Sequence, residues 1–264
     1  MDLKLDKEVA FISGSTKGIG YAVARTLVQE KASVILNGRT QKSINEAIVR
    51  LKEEFPEANI IGFAADFKKA TEVLLLLEQL PEVSILINNV GIYTATPFFD
   101  TPDADWYEQF DVNVMSGVRL SKHCLPNMLQ KNSGRIVFVS SECASLVPLD
   151  LMAYSMTKAS LMAVSRGLAQ MTSGTKVTVN TVMPGSTRSE GASQFLKEAA
   201  AKKGSTTAQI EEDIFKEIRP SSLLQRFASV AEVANTIVYL ASPLSSATNG
   251  AVIKIDGGST GGIL

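Results

Sequence analysis

Val9-Ala10-Phe11-Ile12-Ser13-Gly14-Ser15-Thr16-Lys17-Gly18-Ile19-Gly20 is the stretch on which the fold turns. Four apolar residues break into a turn with glycines at 14, 18 and 20. Tyr21 to Glu30 then carries apolar residues at helical spacing, at Ala24, Leu27 and Val28. The pattern is strand, glycine-rich turn, helix. Glycine lets a backbone turn tightly and lets a pyrophosphate approach a helix N-terminus, where unpaired N–H groups point outward. The spacing is Gly-x-x-x-Gly-x-Gly, a variant of the commoner Gly-x-Gly-x-x-Gly.

The same alternation extends along the chain. Strands are expected at Ser33–Asn37, Asn59–Ala64, Ser84–Ile87, Arg135–Val139, Lys176–Val182 and Ala251–Ile255. Helices are expected at about Gln41–Phe55, Lys69–Leu80, Asp103–Gln130, Leu151–Met171 and Val230–Leu240. Thr187 to Leu224 is polar and rich in Lys and Glu. Nearly continuous apolar strands predict an α/β protein whose parallel sheet is covered on both faces. In such sheets the chemistry gathers at the carboxyl ends of the strands. The polar clusters fall there: Gly14–Gly20, Asn37–Arg39, Asp66, Asn88–Gly91, Ser140–Ser141 and Pro184–Gly185.

The chain has 264 residues, 45% of them hydrophobic, enough for one large domain spanning 1–264. Its 26 basic and 27 acidic residues are interspersed and leave a net charge of −1, which argues against nucleic acid as a partner. With two cysteines, one histidine and no ligand spacing, no metal site is expected. The first eight residues lack a signal-peptide core, and apolar runs such as Val73–Leu77 are too short to span a bilayer. A soluble, cytoplasmic protein with free thiols is the expectation.

At the end of the second strand stands Asn37-Gly38-Arg39, with no acid to accept from ribose hydroxyls. Arg39 offers a guanidinium where a 2′-phosphate would sit, and Lys17 adds a second cation on the same side. The preferred dinucleotide is therefore NADP(H). Tyr154-Ser155-Met156-Thr157-Lys158 holds a phenol and an ammonium four residues apart on one helix face. A free phenol has a pKa of about 10, so proton transfer near neutrality needs roughly 4 kcal/mol of electrostatic help, of the sign a cation supplies. Ser141 ends the fifth strand and can point into the crevice. Asn113, in the apolar run Val112-Asn113-Val114, either caps an internal irregularity or orders a water.

Together these residues resemble the short-chain dehydrogenase/reductase family. Ser13-Gly14-Ser15-Thr16-Lys17-Gly18-Ile19-Gly20 is similar to its Thr-Gly-x-x-x-Gly-x-Gly, and Asn88-Asn89-Val90-Gly91 to its Asn-Asn-Ala-Gly. Asn113, Ser141, Tyr154 and Lys158 match its catalytic tetrad in order and spacing. Pro184-Gly185 and Asp256-Gly257-Gly258 fit as well. The resemblance covers residues from about 5 to 260. It implies a doubly wound Rossmann fold with a seven-stranded parallel sheet, and hydride transfer between a nicotinamide and a carbonyl or alcohol carbon.

In this reading Tyr154 is the acid/base. Lys158 holds the nicotinamide ribose and lowers the Tyr154 pKa, Ser141 orients the carbonyl, and Asn113 positions a relay water. Gly14, Ser15, Thr16, Lys17, Gly18, Ile19, Gly20, Asn37 and Arg39 would surround the phosphates and ribose. Asp66 and Phe67 would meet the adenine, and Asn89 and Gly91 the adenosine ribose. Pro184, Gly185, Thr187 and Ser189 would line the nicotinamide end. Dimers or tetramers, joined through the long helices after the fourth and fifth strands, are also implied.

Val90, Ser189 and Ser13 depart from the usual Ala, Thr and Thr with small changes of bulk. His123 reads as a structural or interface residue, and Cys143 as a small thiol bordering the substrate pocket. Residues after Ser141 and after Gly91, with Ser189 to Leu224 as a mobile lid, would wall that pocket. Arg188 and Arg219 either meet an anionic substrate or lie solvated. Two other readings stay open: a sugar-nucleotide epimerase or dehydratase, which shares the Tyr-x-x-x-Lys pair, and a non-enzymatic NADP-sensing regulator on the same fold.

Overall fold

Val9–Ile12 forms β1, and Gly18–Gln29 forms α1 beyond the glycine turn. The structure is a computed structural model that describes residues 2–262; positions 1, 263 and 264 of the expected domain lie outside the described residues. The next pairs are β2 (Ser33–Gly38) with α2 (Gln41–Glu54), and β3 (Ile60–Ala64) with α3 (Ala70–Gln79). β4 (Ile85–Asn88) leads to α4 (Asp103–Phe110) and α5 (Ser116–Gln130). β5 (Gly134–Val139) leads through the short α6 (Cys143–Leu146) to α7 (Met152–Met171). β6 (Val177–Pro184) continues into β7 (Thr187–Arg188), α8 (Glu190–Lys203), α9 (Thr207–Asp213) and β8 (Ala228–Ser229). α10 (Val230–Ala241) and β9 (Val252–Ile255) complete the order.

Seven strands form one parallel sheet in the order β3-β2-β1-β4-β5-β6-β9. Strand order reverses between β1 and β4, so the crevice that takes ligands opens at their carboxyl ends. Successive residues of β1 face opposite sides, as the strand period of two requires. Ala10 and Ile12 join the core that includes Val23 and Leu27 of α1 and Ile237 of α10. Phe11 joins the opposite core, with Leu120 of α5 and Leu161 of α7. This two-sided burial is why the strands read as continuous apolar runs.

Two segments differ from the expected elements. The helix expected over Asp103–Gln130 is interrupted by a π-helical turn, Asp111–Met115, with Asn113 at its centre. Such turns free backbone groups from the regular ladder and bring a polar side chain to an apolar stretch. The polar stretch after β6 is mostly helical. Ser189 caps α8, Thr206 caps α9, and a second π-helical turn spans Ile214–Ile218. Leu196, Ala200 and Ile210 bury a small separate core, with Phe227 packed against it. Too few apolar residues fall in this stretch for their spacing to reveal it. Among the described residues, no helix is long and apolar enough to cross a membrane.

Candidate active site

The glycine turn is held from beneath by side chains. Ser15 Oγ donates to the Ile12 carbonyl at 2.8 Å, and Asn37 Oδ1 accepts from the Gly14 amide at 3.0 Å. Asn37 Nδ2 donates to the Phe63 carbonyl at 3.1 Å, which ties β1, β2 and β3 together. Asn89 Nδ2 donates to the carbonyls of Ser13 and Gly14, each at 2.9 Å. Gly14 and Gly18 both have positive φ, of 63° and 61°. A Cβ on Gly20 would lie 2.4 Å from the Gly14 carbonyl oxygen, so α1 approaches the turn only through glycine.

Ser15 and Asn37 are almost wholly buried, and their side chains are committed inside the protein. From there the two side chains brace the glycine turn. Phe67 is buried too, and joins the core around Phe11. Lys17 and Arg39 are exposed, and among the described residues neither has an ion-pair partner. Arg50, which sequence reading passed over, donates to the Thr16 carbonyl at 2.7 Å and lies over the Tyr21 ring. Asp66 Oδ1 accepts from the Lys68 amide at 3.1 Å, just beyond the end of β3.

The four expected catalytic residues converge beyond β4 and β5. Lys158 is 3% exposed, and its Nζ donates to the Val139 carbonyl at 2.9 Å, at the end of β5. Ser140 Oγ donates to the Lys158 carbonyl at 2.8 Å, fixing α7 on that strand end. Asn113 is fully engaged. Its Oδ1 accepts from the Ile92 amide at 2.7 Å, and its Nδ2 donates to the Ile92 carbonyl at 2.9 Å and to Thr157 Oγ1 at 3.0 Å. Thr157 Oγ1 in turn donates to the Tyr154 carbonyl at 2.7 Å. A Cβ on Gly91 would fall 3.2 Å from Lys158 Nζ and 3.5 Å from Asn113 Oδ1, so a glycine keeps that space open.

Ser141 Oγ accepts from the Cys143 amide at 3.2 Å and hydrogen-bonds Tyr154. Tyr93, another residue missed as an individual, stacks at a tilt on Tyr154 with centroids 5.7 Å apart, and is largely exposed. Burial pushes the Tyr154 phenol above its usual pKa; the neighbouring Cys143 adds to the rise and the Ser141 hydrogen bond opposes it. No lowering by Lys158 enters this balance. Lys158 Nζ lies 5.6 Å from the Tyr154 ring centre, and burial brings its own pKa down to about 8. Desolvation disfavours the charged form of each group, so it raises a phenol and lowers an ammonium.

Beyond β6, Thr187 Oγ1 donates to the Gly185 carbonyl at 2.9 Å, and Ser189 Oγ accepts from the Ala192 amide at 3.2 Å as a helix cap. Arg188 pairs with Glu211, and Arg219 with Glu142 at 2.9 Å. Neither arginine is simply solvated. His123 is exposed on α5. Among the described residues, no cluster of His, Cys, Asp or Glu could hold a metal ion.

A helix N-terminus behind a glycine turn, at the reversal of a parallel sheet and beside a Ser, Tyr and Lys cluster, defines a Rossmann-type oxidoreductase. The family model described as enoyl-(acyl carrier protein) reductase matches residues 14–260. The chain belongs to the short-chain dehydrogenase/reductase family. It is 46% identical over 262 residues to the uncharacterized oxidoreductase YvrD of Bacillus subtilis, covering 98% of each chain. It is 33% identical to dehydrogenase/reductase SDR family member 4 of Caenorhabditis elegans, covering 97% of this chain and 96% of that one. Among solved structures, L-sorbose reductase from Gluconobacter frateurii, complexed with NADPH and L-sorbose, matches with a TM-score of 0.93 at 28% identity over the whole of both chains.

Proposed function

We propose that this protein is an NADP(H)-dependent oxidoreductase that interconverts a carbonyl and an alcohol, on a ketone, aldehyde or 3-oxoacyl-type substrate. The observation that carries the reading is the meeting of Tyr154, Ser141 and buried Lys158 at the crevice that also holds the glycine turn. The residues fit the dinucleotide. Gly91 keeps open the space beside Lys158 and Asn113, and Lys17 and Arg39 stand free for a 2′-phosphate. NADPH bound to L-sorbose reductase supports the same choice. Around the rest of the cofactor, Asp66 and the Phe67 backbone serve the adenine, and Asn89 and Gly91 the adenosine ribose. Pro184, Gly185, Thr187 and Ser189 serve the nicotinamide end.

When bound, NADPH supplies the hydride. Tyr154 donates its phenolic proton to the carbonyl oxygen as negative charge grows there, and Ser141 donates a hydrogen bond to the same oxygen. Lys158 holds the ribose hydroxyls and favours the phenolate left on Tyr154. Asn113, through its hold on Ile92 and Thr157, shapes the path by which a proton returns. In the alcohol direction each proton step reverses.

Residues 189–224 form the lid over the substrate. A cytoplasmic setting fits the free cysteines, Cys124 and Cys143. Pairing of copies through the helices after β4 and β5 gives a dimer or tetramer, and the exposed Tyr107 and Phe110 of α4 suit such contacts.

The deciding assay follows NADPH oxidation against ketones, aldehydes and acyl thioesters. Tyr154→Phe is expected to lose about 10²–10⁴-fold in turnover while still binding NADPH. Undiminished turnover in that variant would refute the mechanism. Tight NADPH binding with no substrate turned over would favour the sensor.

A further inference from the structure

Glu142 directly follows Ser141, yet its side chain turns away from solvent and is only 4% exposed. Its amide donates to the Pro184 carbonyl at 2.8 Å, bridging the turn after β5 to the end of β6. Oε1 accepts from Arg219 Nε at 2.9 Å and from Ser186 Oγ at 3.3 Å. Oε2 is buried with no hydrogen-bond partner among the described residues. A Cβ on Gly185 would fall 2.8 Å from that oxygen and 2.7 Å from the Asp256 Cα, so the carboxylate and the loop after β9 close on Gly185 together.

Arg219 ends the π-helical turn of the lid segment, where its amide donates to the Ile214 carbonyl at 2.8 Å. Its side chain is 16% exposed. The chain beyond it docks on the loop after β9. Ser221 Oγ donates to the Ser259 carbonyl at 2.7 Å, and the amides of Leu223 and Leu224 donate to the Gly257 carbonyl at 2.8 and 2.9 Å. One carboxylate thus meets three segments: the turn bearing Ser141, the turn after β6 and the end of the lid.

We propose that Glu142 is a positioning residue, latching the end of the lid through Arg219 onto the turn that carries Ser141 and so setting the substrate end of the site. The proposal rests on the oxidoreductase reading above. A buried ion pair is a poor source of net stability, because desolvating both charges offsets their attraction. Its value is in geometry: the pair is satisfied only when lid and turn meet in one arrangement. Arg219 also reaches Cys143, which borders Ser141 and Tyr154, so the latch lies against the reacting groups.

Amide hydrogen exchange tests the latch without any substrate. In Glu142→Ala and in Arg219→Ala, exchange across residues 214–224 should rise about tenfold, with the central strands unchanged. The double variant should be no faster than the faster single, since both remove one contact. Glu142→Gln keeps an acceptor for Arg219 and should stay near the parent. On a carbonyl substrate, KM should rise about tenfold in the two alanine variants, with kcat and the NADPH Kd each moving less than about threefold. Parent-like exchange in both single variants, or additive gains in the double, would overturn the proposal. So would a fall in kcat at unchanged KM. A parent protein that reduces no carbonyl sinks the oxidoreductase reading instead, and the exchange arm still decides the latch.

Discussion

The Glu190 carboxylate accepts a hydrogen bond from the Gly18 amide at 2.9 Å, across 172 positions of chain. It brings the first turn of α8 over the N-terminus of α1. An amide there belongs to the group that a helix offers to phosphate. A carboxylate on that amide competes with a pyrophosphate for the donor and repels its charge.

Glu190→Gln is therefore expected to tighten NADPH binding about three- to tenfold, read by titration of NADPH fluorescence. Weaker binding in the variant would mean that Glu190 supports the bound state.

Arg39→Asp is expected to weaken NADPH binding at least about tenfold and to leave NADH binding within a few-fold, because only NADPH carries the 2′-phosphate. Lys17→Ala should act in the same direction more weakly. Competing titrations of the two dinucleotides measure both effects, and a parent protein that prefers NADH would contradict the assignment.

Lys158→Ala is expected to damage NADPH affinity as well as turnover, since the proposed mechanism has one side chain both anchor ribose and stabilise phenolate. Its pH signature is separate. Burial lowers the Lys158 pKa from the ordinary 10.5 to about 8. The unfolded chain then binds more protons than the folded one between those values, so Lys158 opposes folding in full below about pH 8. That opposition fades as pH rises toward 10.5. Between pH 7 and 10.5, the cofactor-free parent should gain about 3 kcal/mol relative to Lys158→Met in urea unfolding. Parallel pH profiles would show that the ammonium is not held in this way.

Asn113→Ala removes the partners of both peptide groups of Ile92 and of the Thr157 hydroxyl. Leaving the two Ile92 groups unpaired should cost about 2–4 kcal/mol of stability, while the Thr157 hydroxyl keeps its bond to the Tyr154 carbonyl. Turnover should fall more than NADPH affinity, since the loop after β4 loses its hold beside Lys158. Urea unfolding with steady-state kinetics checks both, and full stability in the variant would put the support of Ile92 elsewhere.

The fold was legible because its signals are local. Strand runs, the glycine turn and the Tyr154–Lys158 spacing each lie within a few residues, and β1, β2 and β4 were read within a residue or two of their observed ends. Asn113 was legible as an anomaly: a polar residue in an apolar helix, which the π-helical turn explains.

The sequence by itself determined the doubly wound sheet, the glycine turn at its first strand end and the order of Asn113, Ser141, Tyr154 and Lys158. Only the tertiary structure decided which polar residues face a ligand and which face the protein. Asn37 and Ser15 turned inward, Glu190 met Gly18, and Arg219 met Glu142 rather than water. It also placed Tyr154 where burial raises its pKa. The physical reason is common to these cases. Periodicity and turn chemistry act over a few residues, whereas desolvation and ion pairing depend on what the rest of the chain brings alongside.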